Sequence, residues 1–177
     1  MDEMIRTLPM IPLRGLTVLP LMIVNFDISR KKSIRAVEAA MEQDQTIFLV
    51  TQRDPEEDQP GIDGLYHTGT VAKIKNIAKL PKNIVRVMVE GVGRGRLLAM
   101  QEGAGYLLGQ AEISEEEKPQ FDELTKTAMV RALQDLLGRY GQINQKFGKD
   151  MMQQLMAISD VEALVAEAGA HLPLFYE

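Results

Sequence analysis

The 177-residue chain contains no cysteine, no tryptophan and only two histidines, His67 and His171. Without thiols it can form neither disulfides nor thiolate metal sites, and a reducing compartment suits it. Two isolated histidines make neither a zinc site nor a cysteine–histidine pair. Long hydrophobic runs are missing as well. The longest, Val18 to Val24, has seven residues, where a bilayer span needs about 20. Asp2, Glu3 and Arg6 interrupt any apolar segment of the kind a secretory signal requires. These absences predict a soluble, cytoplasmic protein with no membrane partner.

What remains is an ordinary globular balance, 45% hydrophobic and 25% charged, long enough for one large domain or two small ones. The net charge of −5 is unevenly placed: residues 1–114 are neutral, and residues 115–177 carry all of it. A neutral first part and an acidic second part argue against general nucleic-acid binding through counterion release.

The stretch from Gly69 to Leu98 organises the first part. Val71, Lys73, Lys75 and Ile77 fall on one face of a strand, and Ala72, Ile74, Asn76 and Ala78 on the other. Leu80-Pro81-Lys82-Asn83 has turn chemistry, because proline fixes φ and asparagine tolerates the left-handed region. The chain returns through Ile84, Val85, Val87, Met88 and Val89 to Gly91, Gly93 and Gly95. Glycines inside a strand mark a bulge, a bend or a close backbone approach. This Gly-x-Gly-x-Gly run precedes strand rather than helix, so it is not a nucleotide fingerprint. Glu90, Glu102 and Glu112 sit at alternating strand positions and read as solvent-facing rather than as an acid–base pair.

Upstream, Leu8 to Arg14 is an apolar strand punctuated by Pro9 and Pro12, which predicts a sheet edge or a strand ending in a loop. Pro20 breaks the run Val18 to Val24, so part of it should be an apolar loop. Such a loop either tucks over the end of the sheet or stays exposed as an interaction patch. Ser29 or Ser33 is placed to cap a helix burying Ile34, Val37, Ala40 and Met41. The basic cluster Arg30, Lys31, Lys32 and Arg35 reads as a solvated helix start. Ile47 to Val50 is a strand buried on both faces. Arg53 to Gly64 carries five carboxylates, but not at the alternating spacing of a calcium loop. It reads as a surface loop. Tyr106 to Ile113 predicts one more strand.

Ser114 to Pro119 is a charged linker, and beyond it the period becomes helical. Phe121, Leu124, Ala128, Leu133, Leu136, Leu137 and Tyr140 share one amphipathic face, with Pro119 in the first turn and Gly141 as the stop. A second helix carries Phe147, Met151, Leu155 and Ile158. A third begins at Ser159, with Glu162 at capping-box spacing, and buries Val161, Leu164, Val165 and Ala168. Met129, Met151, Met152 and Met156 suit adaptable packing or promiscuous binding. The apolar ending His171 to Tyr176 suggests that something follows in the native protein. The expected lobes are 1–114, β-rich with one helix, and 115–177, helical.

Taken together, the segments resemble the N-terminal domain of the Lon family of ATP-dependent proteases. The resemblance rests on PLRGLTVLP (Pro12 to Pro20), SRKKSIRAVEAAM (Ser29 to Met41) and IFLVTQRD (Ile47 to Asp54). It continues in DGLYHTGTVAKI (Asp63 to Ile74), KLPKNIVRVMVEGVGRGRL (Lys79 to Leu97) and VEALVAEAGAHLPL (Val161 to Leu174). Asn25 and Ser29 stand where many relatives carry proline and glycine. The resemblance implies an α+β fold, a small PUA-like β-barrel lobe followed by a helical lobe that leads into a long helix. It implies recruitment of unfolded, damaged or degron-bearing proteins and support of a homo-hexamer. It also implies an ATPase module using ATP and magnesium and a peptidase with a serine–lysine dyad. The chain has no G-x-x-x-x-G-K-[ST] loop and ends before either module, so it is expected to be catalytically inert, with no catalytic residue, cofactor or metal of its own.

Within that frame the binding residues are expected at Leu19, Pro20, Leu21, Met22 and Ile23, the apolar run that proline keeps from being ordinary strand. Two alternatives stand beside it. A PUA-like RNA-binding module would use Lys73, Lys75, Lys79, Arg86, Arg94 and Arg96, but no aromatic residues are interleaved with them for base stacking. A free-standing adaptor would have no protease attached.

Overall fold

The structure, a computed structural model, describes residues 4–113, 121–144 and 148–172. The chain divides into two compact units, Met1–Glu116 and Glu117–Glu177. The first holds six strands and one helix: β1 (Met4–Leu13), β2 (Ile23–Ile28), α1 (Lys31–Met41), β3 (Thr46–Thr51), β4 (Thr68–Leu80), β5 (Ile84–Gly103) and β6 (Tyr106–Ile113). The second holds α2 (Glu123–Ile143), α3 (Lys149–Ala157) and α4 (Val161–His171).

The strands lie in the order β2-β5-β4-β3-β1-β6, and β5 also pairs with β6. Five strands therefore form a ring, with β2 attached outside it along β5. Only β1 and β3 are parallel. The ring meets at Gly95, which pairs with Gly69 of β4 on one side and Ile113 of β6 on the other. Strand β5 does this by changing partners along its length. Its first part lies between β2 and β4, and its last part lies against β6.

Period-2 alternation sorts the core into two clusters. Leu8, Met10, Phe48, Val50, Val71, Leu97 and Ala111 come from all five strands of the ring and fill its interior, together with Leu65. Ile11, Leu13, Ile47, Leu49, Ala72 and Ile74 face the other way and pack with Val85, Val87, Val89 and the α1 residues Ala36, Val37 and Ala40. All six residues of β3 are buried, as its continuous apolar pattern predicts. Phe48 is fully buried, and three glycines leave room for its ring. A Cβ built on Gly69, Gly95 or Gly109 would stand 2.8, 2.9 or 3.3 Å from a Phe48 ring atom.

The hairpin of β4 and β5 forms as its alternation predicts, and its turn places both Lys82 and Asn83 at positive φ. The expected face assignment holds only as far as Ile74. Lys75 is an extra residue between the pairs Ile74–Val89 and Asn76–Met88. One inserted residue reverses the alternation, so Ile77 packs in the cluster of Ile74 rather than on the face of Val71.

Strand β1 ends in a loop, as one of the two readings of its prolines has it, but it is not an edge strand; it lies between β6 and β3. Its prolines are tolerated because it changes partner at Met10, from β6 to β3. Leu13 turns its carbonyl to Gln52 N on the β3 side, whereas the Pro12 carbonyl accepts from the Arg30 guanidinium. Neither serine caps α1. Arg30 occupies the N-cap without a side-chain bond, and Ser33 is buried in the first turn.

In the second unit Val130, Leu137, Leu155, Leu164 and Ala168 form the core, with Leu133, Tyr140, Met151, Met152, Ile158 and Val161 against it. Four sequence readings are corrected here. Helix α2 runs through Gly141 to Ile143, because an interior glycine costs only about 1 kcal/mol. Leu124 and Leu136 are exposed, as are Phe121 and Ala128, because α3 and α4 pack against the Val130–Leu137 side only. Val165 of α4 is also exposed. The cap of α4 is Asp160, which accepts from Ala163 N at 2.8 Å, rather than Ser159. Pro119 and Phe147 lie outside the described residues. Gln134 donates to the carbonyls of Met156 and Ile158 (3.1 and 3.2 Å), satisfying the end of α3.

Truncating Phe48 to alanine removes the one ring that those three glycines surround. The expected loss is about 3–5 kcal/mol, measured as a fall in the urea midpoint of the first unit's transition.

Candidate functional site

The segment between β1 and β2, residues 14–22, is the apolar loop that Pro20 predicts. Its first half is anchored. Val18 is buried, and its carbonyl accepts from Thr70 Oγ1 at 2.6 Å. The Leu16 carbonyl accepts from Thr51 Oγ1 at 3.0 Å.

The second half closes on itself and on β5. Met22 N donates to the Leu19 carbonyl at 3.2 Å, and Leu19 N donates to the Met22 sulfur at 3.2 Å. Leu21 N donates to the Gly91 carbonyl and Gly91 N to the Met22 carbonyl, each at 2.9 Å. The approach to Gly91 requires glycine, since a Cβ there would stand 2.3 Å from the Leu19 carbonyl oxygen. The predicted close backbone approach is therefore real, and the loop is what approaches.

Leu21 is held at φ +68°. A non-glycine residue in this region costs roughly 1–2 kcal/mol, and such outliers cluster at functional sites. Leu21 and Ile23 are 55% and 67% exposed, while Leu19, Pro20 and Met22 are half-buried. Four of the five expected residues lie in this loop and Ile23 opens β2, and they do not contribute equally. Leu21 and Ile23 present the surface, whereas Leu19 and Met22 hold its shape.

Sequence reading missed Val92. It is the extra β5 residue between Gly91 and Gly93, and it is 52% exposed. Its place beside Gly91 adds a third exposed apolar residue next to the loop. The Gly-x-Gly spacing carried that signal.

Charges near the loop are already paired. Asp27 of β2 takes two hydrogen bonds from Arg86 (2.7 and 2.8 Å), which hold its carboxyl below the usual range against slight desolvation. Glu90, opposite Ile23, is paired with Lys75. Lys73 donates to the Asp44 carbonyl and stands 3.6 Å from its carboxylate. Lys73, Lys75 and Arg86 of the RNA alternative are thus engaged by the protein itself. His67 and His171 lie in different units, and no cluster able to hold a metal ion occurs among the described residues.

The geometry therefore defines an α+β domain that carries a tightly bonded loop with exposed apolar residues at and beside it. Residues 7–177 match the family model of the ATP-dependent protease La (LON) substrate-binding domain, and the chain belongs to that family. Proteins named Lon protease from Lachnoclostridium phytofermentans, Clostridioides difficile and Escherichia coli K12 are 41%, 38% and 36% identical to it. Their alignments cover 100%, 94% and 94% of this chain but 22%, 22% and 21% of those proteins. The chain spans about a fifth of their length.

The fold is similar to the N-terminal domain of Mycobacterium avium complex Lon protease (TM-score 0.70, 21% identity), over 96% of this chain and 85% of that one. It also resembles the Lon N-terminal domain protein from Xanthomonas campestris (TM-score 0.53, 15% identity), over 95% and 99%.

Replacing Gly91 with alanine forces its Cβ into the Leu19 carbonyl. Stability should fall by about 1–3 kcal/mol. The amide resonances of Leu21, Met22 and Ile23 should shift most if the contact fixes the loop.

Proposed function

We propose that this chain is the substrate-receiving N-terminal part of a Lon-type ATP-dependent serine protease. In this reading it captures apolar segments of unfolded or damaged proteins on Leu21, Ile23 and Val92. The observation that carries it is Leu21, a large apolar side chain held outward at positive φ beside a glycine that only the loop requires. Strain and exposure together are hard to explain by packing alone. The family's description as a substrate-binding domain supports the same reading.

The ATPase and peptidase activities, with ATP and magnesium, belong to parts of the protein outside this chain. The ring of strands is taken as the small PUA-like barrel lobe, the helical unit as the lobe leading onward, and the setting as the cytoplasm. No helix among the described residues is long and apolar enough to cross a membrane. A small patch binds weakly. In a homo-hexamer several tethered copies raise effective concentration, so overall avidity can exceed that of one copy by orders of magnitude.

Ile23→Lys should lower the affinity of the chain for a permanently unfolded, fluorescently labelled protein by several-fold. Its stability should change by no more than about 0.5 kcal/mol, since the side chain is exposed. Unchanged affinity with an intact fold would place the site elsewhere.

A further inference from the structure

Strand β2 stands outside the ring, and its one ladder is with β5. Every other strand has at least two partners. The direction of its free backbone groups follows from a single bond. Gly91 N donates to the Met22 carbonyl, and from there the register runs unbroken from the pair Ile23–Glu90 to the pair Ile28–Val85. Antiparallel ladders alternate, so every second residue bonds across to the partner strand. Val24, Phe26 and Ile28 therefore bond to β5. Ile23, Asn25 and Asp27 turn their N–H and C=O groups away from it, and these groups have no backbone partner among the described residues.

Proteins usually blunt such an edge with proline, lysine, a bulge or a covering element. Strand β2 contains neither proline nor lysine, and its ladder has no register shift. Ile23, Asn25 and Asp27 are all exposed. The one charge on the strand, Asp27, is held by Arg86 at 2.7 Å. The edge starts beside the exposed Leu21 of the apolar loop. It ends at a cleft of about 120 Å³ bordered by Leu13, Leu16, Phe26 and Ile28.

The unmet groups select the occupant. A helix or a folded domain has already bonded its own backbone, whereas an extended chain carries free N–H and C=O groups at the spacing of a strand. A second copy would be joined through six residues, a strip roughly 20 Å by 10 Å. That is far below the roughly 800 Å² per partner of a stable interface. A weak, repeated contact with a flexible chain needs no such area.

We infer that an extended segment of an unfolded polypeptide adds to the sheet as a strand along the outer edge of β2, bonding to Ile23, Asn25 and Asp27. Main-chain pairing supplies affinity independent of sequence, and alternate side chains of the segment fall beside Ile23 on the exposed face. The inference rests on the reading of this domain as a receiver of unfolded polypeptides and states how the segment is held. Its consequence is a preference for apolar segments free of proline, which lacks the N–H a ladder needs.

The test uses the 177-residue chain and a short, valine-rich fluorescent peptide with blocked ends and a lysine at each terminus. Two further versions carry three N-methyl groups, one on alternate residues and the other on consecutive residues. Alternate methyl groups block one edge of the peptide strand and leave the other free, whereas consecutive ones block both. The alternate version should bind within about threefold of the parent, and the consecutive version about tenfold more weakly or worse, the expected loss of backbone hydrogen bonds. Binding of the parent should slow amide hydrogen exchange at Ile23, Asn25 and Asp27 by about tenfold or more and leave Val24, Phe26 and Ile28 little changed. Asn25→Pro removes an outward N–H that β5 does not use and should weaken the peptide several-fold. Equal binding of the two N-methylated versions overturns the inference, as does unchanged exchange at the three outward amides. So does a chain that sediments as a dimer with those amides protected, which gives the edge to a second copy. Unfolded protein that shifts Leu21, Ile23 and Val92 without protecting Asn25 or Asp27 removes the strand addition and leaves apolar capture standing. Absence of any unfolded-protein binding removes both.

Discussion

The buried ring of Phe48 is the contact on which the first unit is built. A six-atom ring at the centre of five strands needs space that ordinary residues would occupy, and Gly69, Gly95 and Gly109 leave it. Two of these glycines also pair with each other, where β4 and β6 both meet β5. Packing and topology are therefore one constraint. The strands approach closely enough to form a ring because they carry no Cβ at these points, and the ring they form is filled because Phe48 projects into it. Interiors are close-packed, so neither half of this arrangement can change alone.

The same strand then sets the apolar loop. Four residues before Gly95, Gly91 accepts one loop hydrogen bond and donates another, and it admits the Leu19 carbonyl where a side chain would clash. The loop is thus fixed in the free protein, with Leu21 in a strained conformation offset by those bonds. A surface ordered in advance loses little entropy on binding. In the proposed reading, that suits capture of chains that must themselves be ordered, at least locally, when they bind.

Much of this was legible in the residues, and the failures have specific causes. The hairpin, the doubly buried β3 and the apolar loop were readable because alternation and proline act locally. The reversal at Lys75 was not, because a bulge depends on the partner strand's register. Pro9 and Pro12 pointed to an edge or to a strand ending in a loop; the loop follows at residue 14, but β1 is no edge, because it changes partner at Met10 and hands the Pro12 carbonyl to Arg30, a contact 18 residues along the chain. On α2, Leu124 and Leu136 have the spacing of core residues, but α3 and α4 cover only the neighbouring side. Which side is covered is tertiary information. The family resemblance stood on ordered segments along the whole chain, and the match over residues 7–177 agrees with it. Around the loop, the apolar run broken by Pro20 named five residues and could not say that Leu21 and Ile23 face solvent while Leu19 and Met22 hold the turn.

The most direct test of the account is an NMR titration of the 177-residue chain with a permanently unfolded protein and, in parallel, with its folded counterpart. The account predicts shifts only with the unfolded form, centred on Leu21, Ile23 and Val92 and fading away from the loop. Shifts with neither form, or equal shifts with both, would contradict it and leave the domain with a role in assembly rather than capture.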